Sequence, residues 1–136
     1  MRAPDVPAPL VTAASLAAVE GLLLVLVGVA EVASLTGGRL TMGLTTAVFF
    51  LAAGGGLVAC GWALAQGRAW GRGPVLLAQV MALAGAWSVR STYLLVSLLL
   101  LVVAVVVAVG VLHPASIALL EGSRLHDEPD DVDRER

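Results

Sequence analysis

The sequence has no lysine, and its 8 basic and 10 acidic side chains leave only 13% of its 136 residues charged. A soluble domain carries about 25%. With so few charges a chain of this size cannot cover itself with a water-compatible surface. The net charge of −2 excludes the basic footprint that a nucleic-acid partner requires. The single cysteine, Cys60, excludes an internal disulfide, and no metal-ligand spacing surrounds it. It reads as a small apolar side chain inside an apolar run. No nucleophile–base pair and no phosphate-binding loop occur, so neither an enzyme nor a bound cofactor or metal is expected. Gly54, Gly55 and Gly56 form a glycine run, but it lies within an apolar stretch rather than in a loop.

Long apolar runs fill the space that charge leaves, and 59% of the chain is hydrophobic. Four runs stand out, at residues 10–35, 40–66, 74–89 and 92–112. A helix needs about 20 apolar residues to cross roughly 30 Å of hydrocarbon. The runs are continuous, unlike the alternating segments of about 10 residues in a membrane barrel. In lipid the backbone must satisfy its own hydrogen bonds, so such runs form helices. The expected fold is therefore an all-α membrane protein, a four-transmembrane-helix up-down bundle over residues 10–114. The third run is the shortest and should stand nearly upright. A signal peptide does not fit residues 10–35, because an h-region is only about 7–15 residues long and Glu20 interrupts the run.

Short connectors force antiparallel neighbours. Thr36-Gly37-Gly38-Arg39 joins the first two runs, and Arg68-Ala69-Trp70-Gly71-Arg72-Gly73-Pro74 joins the next two. Arg2, Arg68, Arg72 and Arg124 then share one side, while Arg39 and Arg90 lie on the other. The positive-inside rule puts residues 1–9, the central connector and the tail in the cytoplasm of a plasma-membrane protein. Ala115 to Leu120 reads as a short interfacial helix. The remainder of the tail to residue 136 is acidic and reads as partly disordered, the stretch Asp127-Glu128-Pro129-Asp130-Asp131 being the disordered part.

Helix association in lipid relies on close approach through small residues. Gly56 and Cys60 in the second run, and Ala78, Ala82 and Ala86 in the third, recur at four-residue spacing and are expected to form packing seams. Besides the lipid bilayer, such faces could meet a second copy or a larger membrane protein. The candidate polar site centres on Glu20. It lies about 10 residues into the first run, roughly 15 Å deep, where a charge costs at least ~2.5–3.5 kcal/mol. Desolvation favours its neutral acid. That acid could donate to a backbone carbonyl near Gly54, Gly55 and Gly56, with Gln79 about a turn away in depth. Glu31 shares its face and could reach Arg39 or Arg90 near the opposite interface.

Ala18-Val19-Glu20-Gly21, the central connector from Arg68 to Pro74, and Ala86-Trp87-Ser88 resemble small four-helix integral membrane proteins of high-GC Gram-positive (actinobacterial) bacteria. That resemblance implies topology and no activity. It leaves a structural or accessory subunit of a membrane complex as the expected role. Glu20 in the first helix also resembles the membrane carboxylate of small multidrug-resistance exporters. That likeness implies the alternative, a small proton-coupled transporter. The 4% aromatic content departs from those exporters.

Overall fold

The computed structural model describes residues 5–35 and 40–127. Helices α1 (Ala8–Ala33), α2 (Leu40–Ala65), α3 (Arg72–Val89), α4 (Leu94–Leu112) and α5 (Pro114–Asp127) follow in order, with a 3-10 turn at Ala69–Gly71. Three of them, α1, α2 and α4, are long and apolar enough to cross a membrane. They mark the chain as a multi-pass membrane protein. The fourth expected span falls on α3, which does not meet that standard. Its 18 residues open on Arg72-Gly73-Pro74 and include Gln79, which dilutes the apolar content of a short helix.

The helices run up and down as two antiparallel hairpins. In the first, α1 and α2 approach backbone to backbone. A Cβ built on Gly54 would lie 2.6 Å from the Gly21 carbonyl oxygen, and one on Gly61 would lie 2.8 Å from that of Ala14. Such proximity leaves room for hydrogen alone. The buried small residues recur every seven positions, as Ala14, Gly21 and Gly28 on α1 and Ala47, Gly54 and Gly61 on α2. A seven-residue period keeps one stripe facing its partner along a left-handed crossing.

This corrects the expected seam. Gly56 is exposed, and a Cβ added there would meet nothing within 4 Å. At 100° per residue, two positions beyond Gly54 lie nearly opposite it on the helix, so a four-residue stripe through Gly56 points outward. Cys60 is buried, but against the 3-10 turn, where a Cβ on Gly71 would come 2.7 Å from the Cys60 carbonyl oxygen. Of the three alanines expected to form a seam on α3, Ala86 is buried and Ala78 and Ala82 are half-buried.

The second hairpin pairs α3 with α4, tied where the buried Ser97 hydroxyl donates to the Ala86 carbonyl at 2.7 Å. The hairpins meet along α1 and α4. A Cβ on Gly110 would sit 2.7 Å from the Pro9 carbonyl oxygen, so the end of α4 lies beside the start of α1. Leu10, Ala13, Ala17, Leu57, Leu64, Val75, Val107, Val111 and Leu120 make the core. They place it at the end of the bundle shared by the start of α1, the end of α2, the start of α3, the end of α4 and α5.

Two breaks shape that end. Helix α2 closes on Gly67, whose φ of 73° lies in the left-handed region that favours glycine. The Arg68 amide donates to the Ala63 carbonyl at 2.9 Å and the Gly67 amide to that of Leu64 at 2.9 Å, the pairing of a Schellman cap. At the other break, His113 is extended (φ −59°, ψ 138°) before Pro114, as the proline ring requires. The fully buried Ser116 hydroxyl donates to the Gly110 carbonyl at 2.8 Å, and Leu120 packs into the core. The helix expected over 115–120 thus extends from Pro114 to Asp127 and folds back on the bundle. The Arg39 turn and the tail beyond Asp127 lie outside the described residues.

Candidate functional site

Glu20 stands at the middle of α1, and Gln79 stands about two turns into α3. These helices are diagonal neighbours across the bundle, with α1 seated on α2 and α4 and α3 seated on α4. Two long side chains bridge the gap that their backbones leave. The Gln79 Nε2 donates to Glu20 Oε2 at 2.7 Å. Gln79 is 1% exposed, whereas Glu20 is half-buried. The bond joins the first hairpin to the second at the level of the Gly21–Gly54 approach.

The pair is incompletely satisfied. Glu20 Oε1 and Gln79 Oε1 are both buried and both lack a hydrogen-bond partner. A buried polar atom without a partner costs about 1–3 kcal/mol. The two orphans are both oxygens, so each needs a donor that the other, as a bare acceptor, does not supply.

The sequence reading brought Glu20 and Gln79 into one site, and they meet. It also gave Glu20 a backbone carbonyl near the glycine run as partner, and here the structure differs. Gly54 is used in the α1–α2 seam, while Gly55 and Gly56 are exposed on the far side of α2. An amide side chain reaches the carboxyl instead because α3 lies across the bundle from α1. Arg90 does not serve Glu31. Its Nη1 donates to the Trp87 carbonyl at 2.8 Å, and its guanidinium lies 3.8 Å over the Trp87 ring. His113 Nδ1 accepts from the Ala115 amide at 3.3 Å, so the ring caps the start of α5.

Two features escaped the reading. Gly61 and Gly28 were legible as seven-residue partners of Gly54 and Gly21. Ser97 and Ser116 carry no such signal, because a serine in an apolar helix bonds its own preceding turn as readily as a neighbour. Ser15 does so here, donating to the Val11 carbonyl at 2.8 Å.

Concavities lie elsewhere. An open groove beside the central connector is lined by Gly55, Ala59, Trp62, Gln66, Arg68 and Trp70. A small cleft lies among Ala69, Arg72, Leu120 and Glu121. Among the described residues no group of three or more His, Cys, Asp and Glu side chains could hold a metal ion. No protein-family model matches this chain, and neither a curated protein nor a solved structure matches it significantly.

Proposed function

We propose that the chain is a four-span integral protein of the plasma membrane with both termini in the cytoplasm, acting as a structural or accessory subunit of a membrane complex. Its 18-residue α3 reaches about 27 Å at 1.5 Å per residue, close to the roughly 30 Å hydrocarbon thickness. Its antiparallel pairing with α4 supports a fourth crossing. The likeness to actinobacterial four-helix membrane proteins belongs to the same proposal.

The observation that carries the accessory role is the Glu20–Gln79 hydrogen bond. It spends the one carboxylate at the centre of the bundle on a tie between hairpins. The reading assigns no catalytic step to the chain. Helix α2 also leaves Ala52, Gly55, Gly56 and Ala59 exposed, an outer face of small residues on which a neighbouring helix could approach closely.

A second reading, the proton-coupled transporter, is favoured by one observation. Glu20 is only half-buried and its Oε1 has no partner, as a carboxyl that exchanges a proton would require. Purified protein in liposomes under an imposed pH gradient separates the two. The accessory role expects no cation flux from the wild type or from Glu20→Gln, and co-purification of a larger membrane partner from native membranes. Proton-coupled flux that vanishes in Glu20→Gln would overturn it.

A further inference from the structure

We propose that Glu20 and Gln79 form a reciprocal acid–amide pair, in which a proton carried on Glu20 Oε1 is donated to Gln79 Oε1. The inference deepens the accessory reading above and rests on it only in treating the pair as a tie. Its own warrant is the hydrogen inventory of the pair. An ionised carboxyl presents two acceptors and no donor, and the Gln79 amide presents one acceptor and one NH₂ group. One contact is made, Nε2 to Oε2 at 2.7 Å, and the two remaining oxygens are buried without a partner. One hydrogen placed between two such oxygens would satisfy both. The neutral acid supplies one hydrogen and removes both orphans at once.

Shape agrees with the count. A carboxyl and a primary amide are planar forks of nearly the same span, so aligning one arm of each brings the other arms together. Among the described residues no neighbouring charge offers another solution. Helix α4 has no titratable side chain from Leu94 to Leu112, and α2 has only Cys60. On α3 and its cap, Arg72 and Arg90 lie about two and three turns from Gln79. On α1 the other acid, Glu31, is about three turns away. A hydrogen bond to an uncharged acid also avoids the cost of holding a carboxylate at mid-helix in lipid.

Infrared difference spectra at neutral pH, in lipid, test this on the full chain. The wild type minus Glu20→Gln should show a protonated-carboxyl C=O stretch, well separated from carboxylate bands. In Gln79→Met, which keeps the length of the side chain but removes both amide arms, that stretch should move to higher frequency. Glu20→Gln should keep the thermal midpoint of the wild type, because an amide offers the same donor–acceptor fork. A wild type with carboxylate bands only, or a protonated stretch unmoved in Gln79→Met, would overturn the proposal. If Gln79→Met does not fold, the presence or absence of the wild-type band decides the matter. Absence of the band without any flux defeats the shared proton and leaves the accessory role standing. Glu20-dependent flux defeats the accessory role whatever the band shows.

Discussion

Replacing Gly54 by alanine adds one methyl group at the tightest point between α1 and α2. That methyl carbon would lie 2.6 Å from the Gly21 carbonyl oxygen and 2.7 Å from the Val25 amide nitrogen. An ordinary carbon–oxygen contact is about 3.3–3.6 Å. Both obstructing atoms are backbone, so no side chain can rotate aside, and the helices must separate by roughly 0.7 Å or more. A gap of that size forfeits about a quarter to a half of each van der Waals contact across the seam. Overpacking of this kind costs ~1–3 kcal/mol, about 5- to 150-fold in the folding equilibrium constant. The control is Gly56→Ala, where the added methyl meets nothing within 4 Å. It should change stability by no more than about 0.5 kcal/mol, as surface substitutions do. Reversible unfolding by sodium dodecyl sulfate in mixed micelles gives both values. Equal stability of the two variants would refute the seam, and a larger loss in Gly56→Ala would put the packing face on the opposite side of α2.

Ser97→Ala removes the hydroxyl that ties α4 to the Ala86 carbonyl and should cost ~0.6–2 kcal/mol by the same titration, with Ser15→Ala near neutral as its comparison. The expected topology is checked by reporter fusions after residues 38, 70, 90 and 136. Those after 70 and 136 should report the cytoplasm, those after 38 and 90 the exterior. An external signal after Trp70 would invert the orientation.

The sequence by itself determined that this chain is helical and that most of its helices suit lipid. That conclusion needs only the length of the apolar runs and the obligation of the backbone to satisfy itself where water is absent. Helix ends were similarly legible, since Gly67 and Pro114 act on the local backbone whatever surrounds them. Glu20 and Gln79 could be matched because helical rise converts sequence position into depth.

What depth does not give is the rotation of each helix about its axis, and rotation decides which residues meet. Ala52, Gly56 and Cys60 form as good a four-residue stripe as Ala47, Gly54 and Gly61 form a seven-residue one. Both stripes are small and apolar, and neither is marked by polarity, because lipid and protein interior are alike in that respect. Only the packed structure chose the second, by bringing the Gly21 carbonyl within 2.6 Å of where a Gly54 side chain would begin. The same limit applies to the carboxyl. Its depth was fixed by α1 alone, but its partner depended on α3 lying across the bundle, an arrangement set by the seam between α1 and α4 and by the Ser97 tie between α4 and α3.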